Sequence, residues 1–132
     1  MKHSKKFDPF AELFGDLSDR YQGDRWQPSL DVFETESAVI ARFEIAGVRK
    51  ADLRVTIDGD LLCVRGIRKP KAEDGVQRLH QMEVAFGPFE RTIHIEIPFD
   101  ENRVDAHLED GFLRITLPKL RSEPRSIEIS DD

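Results

Sequence analysis

Asp110-Gly111-Phe112-Leu113-Arg114-Ile115-Thr116-Leu117-Pro118-Lys119 is the stretch that decides the fold. Leu113, Ile115 and Leu117 alternate with Arg114 and Thr116, the period-two pattern of a strand with one buried face. Gly111 supplies a turn residue able to take positive φ just before the strand. Pro118 stops the strand, because proline has no N–H for a ladder. Further on, the chain carries Ile127-Glu128-Ile129 in an otherwise polar tail. In an extended tail the two isoleucines point the same way. A tail that cannot bury them on itself buries them on another surface. The pairing indicates a domain that assembles with copies of itself, not one built around a catalytic site.

Upstream the same alternation repeats. Val39, Ala41, Phe43 and Ile45 alternate with Ile40, Arg42, Glu44 and Ala46. Leu53, Val55 and Ile57 alternate with Arg54, Thr56 and Asp58, and Asp58-Gly59-Asp60 is a hairpin turn signal. Leu62, Val64 and Ile67 continue the next strand, with Gly66 read as a bulge or kink. Phe89, Arg91, Ile93, Ile95 and Ile97 oppose Glu90, Thr92, His94 and Glu96. Val104, Ala106 and Leu108 form a short strand before the opening stretch. No segment here has a helix-length 3.6 period. Seven or so short strands with turns at this spacing predict an all-β fold, an antiparallel immunoglobulin-like sandwich over residues 27–119. Arg68 to Gln81 breaks the rhythm as a long polar loop, of a kind usually functional or mobile. Within it, Val76 to Met82 has some strand character.

Flanking this domain, residues 1–26 read as an arm, partly helical or disordered. Asp8-Pro9 is a helix start, with Asp8 as N-cap and Pro9 at the first helical position. Phe10, Leu13, Phe14 and Leu17 follow at helical spacing, and Gly15 keeps the helix short. The plain alternative is a helix packed on the main domain. Residues 120–132 read as a C-terminal extension broken by Pro124.

Composition narrows the function. A net charge of -6 argues against non-specific binding to nucleic acid, which needs clustered Lys and Arg. Cys63 is the single cysteine, which excludes an internal disulfide and fits a reducing, cytoplasmic compartment. No apolar run approaches the ~18 residues of a membrane span, and no apolar segment of a secretory signal follows the basic start Met1–Lys6. No nucleotide-binding loop is present. His3, His80, His94 and His107 lack metal-ligand spacing, and no carboxylate pair is placed for acid–base work. Cys63 has no nearby group to activate it. Arg65, Arg68, Lys69 and Lys71 read as a solvated basic run. No catalytic residue, metal or cofactor is expected.

Taken in order, the motifs resemble those of the small heat-shock proteins, bacterial type, whose shared part is the α-crystallin domain. Trp26-Gln27-Pro28-Ser29-Leu30-Asp31-Val32-Phe33-Glu34 resembles the Trp-x-Pro-x-x-Asp-x-x-Glu opening of the family. Ala46-Gly47-Val48 resembles its Pro-Gly-Val turn, with alanine in place of proline. Gly87-Pro88-Phe89-Glu90-Arg91 resembles Gly-x-Phe-x-Arg. Ala106-His107-Leu108-Glu109-Asp110-Gly111-Phe112-Leu113 resembles Ala-x-x-x-x-Gly-x-Leu, and Ile127-Glu128-Ile129 resembles the tail Ile-x-Ile motif. The resemblance covers roughly residues 26–129.

The resemblance implies an ATP-independent holdase chaperone, an oligomer of dimers that binds unfolded or partly folded client proteins. It implies that Ile127 and Ile129 dock in an apolar groove on another dimer, lined by Leu53, Val55, Ile57, Val104, Ala106 and Leu108. It implies a dimer interface at Leu30, Val32, Leu79, Met82 and Arg91, with the long loop pairing to the partner's first strand. For Arg91 the alternative is an ordinary surface strand residue. Clients would meet Phe7, Phe10, Leu13, Phe14 and Leu17 of the arm. The partners are then clients and the chain itself, with no nucleic acid and no membrane. The alternative function is a p23-like co-chaperone adaptor that binds one folded chaperone partner as a monomer.

Overall fold

A computed structural model describes residues 8–20, 26–121 and 125–132. Two antiparallel sheets stack face to face. One has four strands in the order β1 (Leu30–Glu34), β2 (Ala38–Glu44), β7 (Phe112–Pro118), β6 (Asp105–Glu109). The other has three, in the order β3 (Leu53–Asp58), β4 (Leu61–Arg68), β5 (Gly87–His94). The all-β sandwich read from the alternation is the architecture observed.

The stretch that opened the sequence reading closes as a two-residue hairpin. Glu109 of β6 faces Phe112 of β7, and the turn between them is Asp110 at φ 52° and Gly111 at φ 82°. Two successive positive φ values are the type I′ geometry whose twist matches paired strands. Gly111 has a second reason to be glycine. A Cβ there would lie 3.3 Å from both the Cα and Cβ of Ala46, and its carbonyl accepts the Ile45 N–H at 2.8 Å.

The core lies where the alternating positions of the two sheets meet. Phe43, Ile45, Leu62, Val64, Phe89, Ile115 and Leu117 are fully buried there. β2 is flanked by β1 and β7, and Ile40 on its outer face is buried as well as Val39 and Ala41. Two expectations are corrected. Gly66 forms no bulge: it stays in register between Leu53 and Phe89. Its missing Cβ leaves room for the Phe89 ring, which a Cβ would meet at 2.2 Å. The strand read as reaching Ile97 ends at His94. Ile95 leaves the β4 ladder, donates its N–H to the Asp60 carbonyl at 2.8 Å, and turns into the core. Val76 to Met82 forms no strand within the single chain.

The arm forms α1 (Pro9–Arg20), uninterrupted at Gly15. Asp8 Oδ1 accepts the Phe10 N–H at 3.1 Å, so Asp8 caps the helix as its sequence position predicts. α1 lies on the outer face of the three-stranded sheet. Arg54 of β3 and Arg65 of β4 alternate away from the core and meet it there, 4.4 Å over the Phe10 ring and 5.9 Å over the Phe14 ring.

Candidate functional site

A seven-stranded sandwich with a four-stranded and a three-stranded layer leaves four strand edges, two on each side. β3 and β6 are edges of different sheets, and the space between them is a groove of about 580 Å³. Leu53 and Val55 come from β3, Ala106 and Leu108 from β6, and Leu113 reaches in from β7. Lys50, Arg54 and His107 stand among them as the basic members. The small Ala106 side chain keeps one wall low. Four of the six residues expected to line a tail-binding groove are thus brought together. Ile57 and Val104 are not part of this lining. Ile127 and Ile129 are 73% and 92% exposed.

On the opposite side are the edges β1 and β5. Leu30 packs on the core, but Val32, pointing the same way one step along, is 47% exposed. The segment before β1 is tied to β5 by two hydrogen bonds. Trp26 Nε1 donates to the Gly87 carbonyl at 3.0 Å, and Arg91 Nη1 donates to the Pro28 carbonyl at 3.0 Å. Arg91, expected at a dimer contact, therefore holds its own chain's β1 lead-in against β5. The loop from Lys69 to Phe86 carries Val76, Leu79, Met82 and Val84, all more than half exposed.

The basic run is not simply solvated. Arg65 pairs with Glu90 at 3.2 Å, and Lys69 pairs with Asp52 at 3.0 Å. The Arg68 guanidinium lies 3.9 Å over the Trp26 ring and donates to the Ala85 and Ala46 carbonyls. Arg68 thereby anchors both ends of the long loop region to the β1 lead-in. Sequence reasoning missed this role, because stacking on Trp26 depends on a contact between residues 42 positions apart (68 − 26).

The arm residues expected to meet clients are turned toward the domain. Phe10 is buried, and Leu13, Phe14 and Leu17 are half-buried. Phe7 lies outside the described residues. Ser18 is buried with its hydroxyl unpartnered, the one such side chain among the described residues.

The surface carries two histidine–carboxylate contacts, His94 with Asp60 and His107 with Glu109. Cys63 is half-buried with Sγ 3.8 Å from Glu90 Oε1. Among the described residues no cluster of three or more His, Cys, Asp or Glu is placed to hold a metal, and no helix is long and apolar enough to cross a membrane.

This geometry has known counterparts. Heat shock protein 16 of Schizosaccharomyces pombe is 32% identical over 128 residues, which span 94% of this chain and 87% of that one. Small heat shock protein C2 of Rickettsia felis is 30% identical over 103 residues, 77% of this chain and 67% of the relative. Among solved structures, heat shock protein 16.0 from Schizosaccharomyces pombe superposes with a TM-score of 0.68 at 32% identity, covering 82% of this chain and all of that one. A small heat-shock protein from Xylella fastidiosa superposes with a TM-score of 0.69 at 25% identity, covering 81% of this chain and 99% of that one. Residues 31–130 match the sequence profile of the Hsp20/alpha crystallin family. The sandwich, the two open sides and these likenesses together place the chain in the Hsp20/alpha crystallin family, the small heat-shock proteins, whose members are chaperones.

Proposed function

We propose that this chain is an ATP-independent holdase that works in the cytoplasm as an oligomer of dimers, keeping partly unfolded proteins from aggregating. The observation that carries the reading is the pairing of two largely exposed isoleucines, Ile127 and Ile129, with a groove between β3 and β6 whose floor is apolar. Burying an isoleucine fully is worth roughly 1.5–3 kcal/mol, and ordering the tail offsets part of that. One docked tail is therefore a reversible contact, and many such tails around an assembly make it stable.

The dimer forms on the other side. The Lys69–Phe86 loop reaches across, and its Leu79 and Met82 segment adds a strand to the partner's β1 edge beside Leu30 and Val32. The Pro28 carbonyl held by Arg91 keeps that edge in place. Clients are held by the apolar face of α1, from Phe10 to Leu17, together with Phe7, when the helix lifts off the sheet. Only Phe10 of its apolar stripe is buried, Leu13, Phe14 and Leu17 are half-buried, and the arginine–ring contacts and the ion pair to Asp8 are exposed, an attachment weak enough to yield to heat.

Light scattering coupled to size exclusion tests the assembly. The intact chain should elute as a large oligomer and the Ile127→Ala/Ile129→Ala variant as a dimer. A heat-denatured client incubated with an equal mass of the chain tests the activity: suppressed turbidity is expected. Unsuppressed aggregation, or a monomer in both forms that binds one folded partner, would replace this reading with the adaptor one.

A further inference from the structure

The groove and the tail match in charge as well as in apolarity. Arg54 stands between Leu53 and Val55 on β3, and His107 between Ala106 and Leu108 on β6, so each wall has a basic residue at its outward middle position. Glu128 stands between Ile127 and Ile129. With both isoleucines turned into the groove, an extended tail turns Glu128 out toward that rim. His107 faces Glu109 of its own strand at 3.6 Å, which leaves Arg54 as the rim residue for Glu128.

Arg54 already has an employer. Its Nη2 is 3.3 Å from Asp8 Oδ1, the same oxygen that caps α1 by accepting the Phe10 N–H. Its guanidinium covers the Phe10 ring, and it lines both the tail groove and the cleft of about 230 Å³ beneath α1. One residue thus lines both sites. We propose that Glu128 from the tail of a second copy takes Arg54 at the groove rim in competition with Asp8, so that tail docking and the packing of α1 are negatively coupled. The inference rests on the tail-in-groove reading. Linkage makes it reciprocal: a docked tail loosens the start of α1 and uncovers Phe10, and a released α1 tightens the tail. Assembly and exposure of the arm's apolar face then answer to the same side chain.

The test uses the full-length Ile127→Ala/Ile129→Ala chain, whose groove is free, and a synthetic peptide of residues 125–132. Asp8→Asn removes the competing charge and keeps a capping oxygen, since Asn caps as well as Asp. At low salt it should tighten peptide binding about two- to five-fold. The gain should vanish when Arg54→Gln is added, and when the peptide carries Glu128→Gln. Saturating peptide should also speed hydrogen exchange at the first amides of α1. An affinity unchanged by Asp8→Asn, or a Glu128→Gln peptide that binds as tightly as the native one, would overturn the coupling while leaving the groove reading standing. A native peptide that binds none of the variants would bring down the groove reading and the coupling with it.

Discussion

Replacing Gly66 with alanine should damage both the core and the groove. The added Cβ would sit 2.2 Å and 2.4 Å from Cζ and Cε1 of Phe89 and 3.0 Å from Cδ2 of Leu53. Phe89 is fully buried and cannot swing into solvent, and its ring packs edge-on against Trp26 at 5.0 Å between centroids. Overpacking of this kind costs about 1–3 kcal/mol. Breaking the aromatic pair adds about 0.5–1.5 kcal/mol. The expected loss is therefore about 2–4 kcal/mol, read by urea unfolding in the Ile127→Ala/Ile129→Ala background, where assembly does not mask it. Trp26 is the only tryptophan, so its fluorescence reports the displaced ring directly. Phe89→Leu should partly relieve the clash, leaving the double variant about 1 kcal/mol or more above the sum of the singles. Leu53 is also a wall of the groove, so tail-peptide binding should weaken at temperatures where the variant is still folded. A loss below about 0.5 kcal/mol, or strict additivity with Phe89→Leu, would refute the argument that this glycine exists to seat Phe89.

Other substitutions probe the remaining devices. Gly111→Ala puts a side chain at φ 82° and against Ala46, and should cost about 1–3 kcal/mol in the same urea assay. Arg68→Ala removes the cation over Trp26 and three hydrogen bonds, two to the Ala85 carbonyl of the loop and one to the Ala46 carbonyl; the Trp26 emission should shift to the red, and protease should cut the Lys69–Phe86 loop faster. Ala106→Glu places a charge on the exposed wall in the path of a docking tail; light scattering should find a smaller assembly, with the unfolding free energy of the free dimer changed by less than about 0.5 kcal/mol.

How far the sequence speaks depends on whether a signal is local. Alternation at Leu113, Ile115 and Leu117, and the Asp110-Gly111 turn, are properties of neighbouring residues, and the structure carries them over unchanged. The helix start at Asp8-Pro9 is equally local, and its cap forms. Gly66 misled because the usual meaning of a strand glycine is a bulge, whereas here its neighbour in space is a ring 23 residues away (89 − 66). The strand end at His94 was hidden because Ile95 keeps the alternating pattern while its N–H goes to the Asp60 carbonyl of a turn. Apolar positions on two strands pointed to six lining residues; Leu53, Val55, Ala106 and Leu108 line the space between β3 and β6, and Ile57 and Val104 lie outside it because which stretch of two edges faces the same space is set by the packing of the sheets.

The arm illustrates the deeper reason. Its apolar stripe was plain in Phe10, Leu13, Phe14 and Leu17, yet a stripe states only that something must cover it. Here the cover is the outer face of the three-stranded sheet, where Arg54 and Arg65 alternate outward and meet the rings. A helix held by aliphatic side chains would be fixed by burial alone. Held in part by two half-exposed guanidinium groups over its rings, it depends also on charges that other carboxylates can claim. Glu90 already shares Arg65, and Arg54 borders the groove. The same outward positions that look like ordinary solvated residues in a period-two strand therefore set how firmly the arm is covered, and no reading of one strand at a time can assign them that role.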